Sequence, residues 1–195
     1  MAILTNDVTV LLVPGLRDHV DEHWQTLLAN RLVHVHSVPP MGRENLDCAQ
    51  RVAAIERAAG AIAGPIVLIA HSGGCIMVAH WARTTAHAAR IRGCLLATPP
   101  DFEQPMPPGY PTIEMLRAGG WLPVPRERLP FRSLVALSQN DPLGACDRVL
   151  ELADDWGSET LDLGQVGHLN PAAGYGDWPL ADTLIQQLSR PNVPI

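Results

Sequence analysis

The sequence predicts an α/β fold in which about six parallel strands form a middle layer, helices cover both faces, and no large cap domain is added. Strand-like and helix-like stretches alternate along the whole chain, as they do when parallel strands are joined by helical crossovers. Several of the strand-like runs, such as Ile66–Ala70, are apolar throughout, which is typical of strands buried on both faces. The 195 residues suffice for a single domain with a buried core, which we expect to span residues 1–195.

Each predicted element is bounded by ordinary start and stop signals. Gly157 ends one helical pattern, and Pro179 lies in the first turn of the last helix. The predicted strands are Val8–Val13, Val33–Val38, Ile66–Ala70, Ile91–Ala97, Ser133–Ser138 and Glu159–Leu163. The predicted helices, which carry apolar residues at helical spacing, are His23–Leu32, Leu46–Ala59, Gly73–Thr84, Leu143–Trp156 and Pro179–Leu188.

A proline-rich segment, residues 98–130, interrupts this alternation. It is far longer than the 2–6 residues of a typical connection, and it follows the end of a strand, where open α/β sheets bind ligands. A disordered surface loop is the alternative interpretation. Its apolar content, which includes Phe102, Tyr110 and Trp121, favours an excursion that lies near an active site.

The composition excludes several classes of protein. Hydrophobic residues make up 47% of the chain and charged residues 17%, which is typical of a globular protein. The net charge is −6 and no basic block occurs, so we expect neither nucleic acid nor insertion into a membrane. Residues 1–7 lack the features of a signal peptide. The four cysteines are scattered, which predicts a reducing, cytoplasmic location.

A candidate nucleophile, Ser72, lies between an apolar strand and a helix. The segment Ala70–Gly74 fits the G-x-S-x-G pattern of a nucleophile elbow, with alanine in place of the first glycine. Such an elbow needs small residues two positions before and after the serine, because the strand and helix backbones nearly touch there. The alternative is a serine in an ordinary strand-to-helix turn, but the preceding buried strand favours the elbow.

A serine nucleophile needs a base and an orienting acid, in the chain order serine, acid, histidine. Asp141 follows the predicted strand Ser133–Ser138, and His168 lies in the loop after the last strand. Asp141 also fits a helix N-cap, and a lone loop histidine is often an inert surface residue. Because three independent placements agree, we predict that Ser72 is the nucleophile, His168 the general base and Asp141 the acid.

Acyl transfer also requires hydrogen-bond donors for the developing oxyanion. We expect these donors to be the backbone N–H groups of Gly73 and of Leu16, which lies in the loop after the first strand. A simple Pro-Gly turn is the alternative interpretation of that loop. We further expect Gly15, Phe102 and Trp121 to contact the substrate.

Other polar residues are weaker candidates. Asp101 comes one strand too early for the acid, although it could line the pocket, and Asp177 comes after the histidine, in the wrong order. We expect the ring of His71 to point away from Ser72 and to pack or hydrogen-bond beneath the elbow. No His-Glu-x-x-His helix or cysteine cluster occurs, so we expect no metal. The histidines that fit no metal motif include His19, His23, His34 and His36.

Several separated segments along almost the whole chain form one recognisable set. They are Val13–Gly15, His23–Gln25, Ile69–Cys75, His80–Ala82, Leu96–Asp101, Ser138–Pro142, Trp156–Gly157, Gly167–Asn170 and Gly174–Pro179. Together they resemble the small serine hydrolases of the retinoblastoma-binding-protein-9 and YdeN type, a branch of the α/β-hydrolase superfamily. Two departures are the alanine at position 70 and Gln50, which stands where a Leu-x-Cys-x-Glu motif would have glutamate.

The resemblance implies a compact hydrolase core, the triad Ser72, Asp141 and His168, and hydrolysis of small esters or amides without a cofactor. The resemblance identifies no physiological substrate, and a thioester is also a possible substrate class. Two alternatives also remain: a protein-interaction module with vestigial activity, since fold does not dictate function, and an acyltransferase that uses the same acyl-enzyme.

Overall fold

The computed structural model describes residues 8–17 and 20–191. Residues 1–7, for which the sequence predicts no signal peptide, lie outside the described residues. His19 lies outside them as well. The strands are β1 Thr9–Val13, β2 Val35–Ser37, β3 Ile66–His71, β4 Ile91–Ala97, β5 Ser133–Leu137 and β6 Glu159–Asp162. The helices are α1 Trp24–Arg31, α2 Cys48–Ala61, α3 Gly73–Ala82, α4 Ile113–Ala118, α5 Cys146–Trp156 and α6 Leu180–Ser189.

The six strands form one parallel sheet in the order β2-β1-β3-β4-β5-β6. Strands β1, β3 and β4 lie in the middle of the sheet, and every residue of β3 is buried. This burial explains why its first five residues, Ile-Val-Leu-Ile-Ala, are all apolar and do not alternate with polar residues. The predicted α/β fold with a parallel sheet is confirmed.

Two apolar cores separate the sheet from its two helical layers. On one face, Leu11 and Leu68 pack in a cluster with residues of α2, α3 and α5. On the other face, Leu12 and Ile69 pack with residues of α1 and α6. Since successive strand residues point to opposite faces, each middle strand contributes to both cores. Because all six strands are parallel, their carboxyl ends lie at the same edge of the sheet.

The 98–130 segment is packed onto this framework. It contains the short helix α4, whose first turn is capped when Met115 N–H donates to Thr112 Oγ1, 3.3 Å away. The sequence alone predicts no helix here. Leu116 and Trp121 from the segment are fully buried in the core that covers α2 and α3. The segment therefore forms an ordered wall beside the carboxyl edge of the sheet.

The predicted elements agree with the observed ones to within a few residues, and the largest shift is at α5. That helix begins at Cys146 and not at Leu143, since residues 141–144 form a turn after β5. The four cysteines are free thiols. Among the described residues, no helix has the length and apolar character that crossing a membrane requires.

Candidate active site

Ser72 occupies a strained turn between β3 and α3. Its φ of 55° and ψ of −132° are unusual for a residue other than glycine. The turn is closely packed, because a Cβ added at Gly74 would lie only 2.5 Å from the carbonyl oxygen of Val13. Ala70, the small residue two positions before the serine, is fully buried. These are the close backbone approaches expected of a nucleophile elbow, and alanine satisfies them at the first position.

The structure brings Ser72, His168 and Asp141 together in a hydrogen-bonded chain. Ser72 Oγ lies 2.7 Å from His168 Nε2. His168 Nδ1 lies 2.8 Å and 3.0 Å from the two carboxylate oxygens of Asp141. A carboxylate only accepts hydrogen bonds, so Nδ1 carries the imidazole proton and Nε2 is free to accept the proton of the serine hydroxyl. Both partners of the His168–Asp141 pair are at least 95% buried.

Hydrogen bonds join the turn after β5 to the loop that carries His168, and they position the His168–Asp141 pair. Asn140 Oδ1 accepts a hydrogen bond of 2.7 Å from the N–H of Gly167, the residue before His168. Ser138 Oγ donates to the same Asn140 oxygen and accepts from the N–H of Val166. Asp141 is itself oriented, because its Oδ1 accepts from the N–H of Leu143 at 2.9 Å. The Ser-Gln-Asn-Asp sequence after β5 thus positions both the acid and the histidine loop.

His71 contacts the opposite side of the same histidine loop. Its Nε2 lies 2.9 Å from the carbonyl oxygen of His168, and Thr98 Oγ1 reaches that oxygen at 3.5 Å. Burial, followed by the neighbouring His168 and His23 rings, holds the pKa of His71 well below its usual range. The sequence predicts that this ring lies beneath the elbow, but it gives no sign of the contact with His168 O.

The loop after β1 lies against the elbow, where the oxyanion donors are predicted. A Cβ added at Gly15 would lie 3.0 Å from Ser72 Cβ, and one added at Gly73 would lie 2.9 Å from Leu16 Cγ. Gly73 is the first residue of α3, so its N–H has no partner within the helix. Gln25 holds the end of β1 next to the end of β3, because its buried Nε2 donates to Val13 O at 3.2 Å and to Ile69 O at 2.9 Å.

Ser72 and His168 open into a pocket of about 600 Å³, which is within the range of small-molecule sites. The 98–130 segment and the loop after β1 supply most of its apolar wall. Arg17 spans these two parts, since its guanidinium lies 4.5 Å from the centroid of the Tyr110 ring. The apolar and aromatic side chains of the wall include Leu16, Val20, Leu46, Phe102, Met106, Tyr110, Met115 and Leu143.

Two of the predicted substrate contacts differ in position. Phe102 lies on the wall of the pocket. Trp121 is completely buried behind it, in an edge-to-face contact with a 5.5 Å separation of the ring centroids. The indole N–H of Trp121 donates to Leu46 O at 2.8 Å. Trp121 therefore supports Phe102 from the core and does not face the pocket.

The weaker candidates lie elsewhere. Asp101 is buried and accepts from Arg148 Nε at 3.0 Å, so it joins the 98–130 segment to α5. Asp177 forms an exposed ion pair of 2.6 Å with Arg31. Within residues 8–17 and 20–191, no group of histidine, cysteine or carboxylate side chains is arranged to hold a metal ion.

Comparison with known proteins identifies the family and the fold. The model of the family described as "Serine hydrolase" matches residues 10–187. No curated protein matches the chain. The fold is similar to a structure described as a YdeN-like hydrolase from Pectobacterium atrosepticum, with 29% identity, coverage of 95% and 92% of the two chains and a TM-score of 0.80.

Two more distant structures share the fold. The ydeN gene product of B. subtilis is 14% identical, with coverage of 94% of this chain and 98% of that chain and a TM-score of 0.70. A protein described as a thioesterase, from Silicibacter sp., is 18% identical, with coverage of 96% and 73% and a TM-score of 0.62. The predicted resemblance to YdeN-type hydrolases is confirmed. Because the family model spans most of the chain, the protein belongs to the serine hydrolase family and is a hydrolytic enzyme of the α/β-hydrolase superfamily.

Proposed function

We propose that the protein hydrolyses small carboxylic esters or amides through an acyl-enzyme on Ser72. The observation that carries the proposal is the unbroken hydrogen-bonded chain from Ser72 Oγ through His168 to Asp141, with distances of 2.7 Å and 2.8 Å. The serine stands at the tip of a strained turn and faces a pocket of about 600 Å³. Nucleophile, base and orienting group are the parts that serine acyl transfer requires.

In the first half-reaction, Ser72 Oγ attacks the carbonyl carbon while His168 Nε2 accepts the hydroxyl proton. Asp141 holds the tautomer with the proton on Nδ1 and stabilises the imidazolium that forms. The N–H groups of Gly73 and Leu16 donate to the oxyanion. The imidazolium then protonates the leaving alcohol or amine as the bond to the carbonyl carbon breaks.

In the second half-reaction, water replaces the leaving group. His168 accepts a proton from the water as it attacks the acyl-enzyme, and the resulting imidazolium returns that proton to Ser72 Oγ as the acid product departs. No cofactor takes part in these steps. The apolar wall formed by Leu16, Phe102 and Met106 suits an uncharged acyl group, and Gly15 lets the loop after β1 lie against Ser72.

We also propose that the enzyme acts in the cytoplasm on a small-molecule substrate. Its four cysteines are free thiols, and three of them are buried. This use of cysteine is typical of a reducing compartment.

A turnover screen tests the proposed function. The purified protein is given p-nitrophenyl esters of increasing acyl length, the matching thioesters and a set of aminoacyl amides, with Ser72→Ala as the control. We expect hydrolysis of at least one class, and a fall in kcat on the order of 10⁶ in Ser72→Ala. Near-normal turnover by Ser72→Ala would contradict the assignment.

The same screen separates the two alternatives. Addition of an alcohol or thiol acceptor diverts the acyl group to a new ester or thioester if the enzyme is an acyltransferase, whereas a hydrolase releases the free acid. No turnover of any class, together with no reaction of Ser72 with a fluorophosphonate, would favour a protein-interaction module with a vestigial site.

A further inference from the structure

We propose that His71 is a positioning residue of this active site, whose Nε2–H holds the backbone carbonyl of His168 and thereby keeps the His168 ring in line with Ser72. The inference rests on the proposed function, because it assigns a role in relation to the proposed general base. His71 is the last residue of β3 and precedes the nucleophile directly. It is 5% exposed, and its Nε2 lies 2.9 Å from His168 O.

The chemistry of the contact fixes which partner donates. A backbone carbonyl oxygen only accepts, so His71 Nε2 carries the proton in this hydrogen bond. The ring is surrounded by other imidazoles and by an indole: its centroid lies 4.6 Å from that of His23, 5.1 Å from that of His168 and 5.8 Å from that of Trp24. Burial and these histidines lower the pKa of His71, so it donates as a neutral imidazole.

The backbone around His168 is of the kind that needs such support. Gly167 and Leu169, the residues on either side, have φ values of 58° and 47°. A positive φ is costly for leucine, and such a conformation persists only where the surroundings enforce it. Thr98 Oγ1, from the residue after β4, reaches the same carbonyl at 3.5 Å. Two neighbouring strand ends therefore converge on the carbonyl oxygen of His168 and hold the peptide group that follows this residue.

Neutrality of the donor matters for the reaction. His168 becomes an imidazolium each time it accepts a proton, and a second cation about 5 Å away would oppose that step. Asp141 faces the His168 ring with its carboxylate, whose two oxygens lie 2.8 Å and 3.0 Å from Nδ1. A neutral donor on the backbone and a carboxylate on the ring thus orient His168 without placing a second positive charge beside it.

The test compares His71→Gln with His71→Asn. The glutamine amide can place its nitrogen near the position of Nε2 and donate to His168 O, whereas the asparagine amide is one methylene too short. We expect His71→Asn to lower kcat by about 10–100-fold with little change in KM, since small misplacements of a catalytic group have effects of this size. We expect His71→Gln to recover most of that loss.

Two further measurements make the role specific. The rate of fluorophosphonate labelling of Ser72 should fall with kcat in His71→Asn and recover in His71→Gln. The low-field proton resonance of the His168 Nδ1–H should be retained in wild type and His71→Gln, and should shift or broaden in His71→Asn. Equal losses in both variants, or a wild-type kcat in His71→Asn, would overturn the inference.

His80 provides a matched control for disturbing a buried histidine. Its Nε2 donates to a backbone carbonyl, Trp121 O, at 3.1 Å, and burial also lowers its pKa. We expect His80→Asn to lower Tm but to leave kcat unchanged. A fall in kcat equal to that of His71→Asn would show that both act through stability alone. Activity in Ser72→Ala would instead overturn the proposed function, so the two failures are distinguishable.

Discussion

Replacing Asp141 with asparagine should remove most of the activity and leave the fold intact. In the wild type, Asp141 Oδ1 accepts from the N–H of Leu143, and both oxygens lie within 3.0 Å of His168 Nδ1. An asparagine that keeps the bond to Leu143 would turn its amide nitrogen toward Nδ1. The imidazole would then carry its proton on Nε2, which faces Ser72, and could not accept the serine proton.

The size of the effect follows from the charge that is lost. A carboxylate and an imidazolium 2.8 Å apart attract by about 6 kcal/mol at an effective dielectric constant of about 20. Loss of most of this stabilisation corresponds to a fall in kcat of about 10⁴. The assay is the initial rate of p-nitrophenyl acetate hydrolysis, with Tm measured on the same preparation.

Asp101→Asn is the matched control for the Asp141 substitution. It neutralises another buried carboxylate, which pairs with Arg148 at 3.0 Å and does not touch His168. We expect a lower Tm and an unchanged kcat. If Asp141→Asn kept a kcat within about tenfold of wild type while remaining folded, the assignment of the acid would be refuted.

Three further predictions concern the elbow, the histidine loop and the thiols. Gly74→Ala should lower both Tm and activity, because its Cβ would lie 2.5 Å from the carbonyl oxygen of Val13 in β1. Gly60→Ala in α2 is the control and should be tolerated in the same melts and assays, because the nearest atom outside the helix backbone is His87 Nε2, 3.5 Å from the added Cβ. Equal Tm values for the two variants would contradict this. Asn140→Ala removes the oxygen that accepts a 2.7 Å hydrogen bond from Gly167 N–H in the histidine loop, so it should lower kcat with little change in KM. An unchanged kcat would show that this hydrogen bond is not needed to position the loop. Burial raises the pKa of Cys48 to about 12, whereas Cys146 is only partly buried. In native protein at pH 8, iodoacetamide should therefore alkylate Cys146 well before Cys48. Equal alkylation rates of the two thiols, measured by peptide mass mapping, would refute the burial of Cys48.

The sequence predicted the sheet and the three proposed catalytic residues because both depend on local signals. Buried parallel strands are apolar at every position, and each ends at a recognisable turn. Ser72, Asp141 and His168 each follow such a strand end, and the carboxyl ends of parallel strands meet at one edge. The order of the strands themselves did not have to be known for these side chains to be brought together.

The contacts that support the site were beyond the sequence because they join distant segments. Helix α4 has only six residues and lies in a proline-rich segment, so its periodicity was too short to detect. The sequence predicts that Trp121 contacts the substrate, but an aromatic side chain in a loop can equally point into the core. In the structure, its indole N–H donates to Leu46 O. The bond from His71 to His168 spans 97 positions and depends on the tertiary fold.

The central claim is that Ser72 is the activated nucleophile, and covalent labelling tests it most directly. The native protein is treated with a fluorophosphonate, digested, and mapped by mass spectrometry, alongside Ser72→Ala and Ser133→Ala, the latter a buried serine hydrogen-bonded to Ser158 at 2.7 Å. We expect a single adduct on Ser72, which is absent from Ser72→Ala and retained in Ser133→Ala. An adduct at another residue, or equal labelling of Ser72→Ala, would contradict the account.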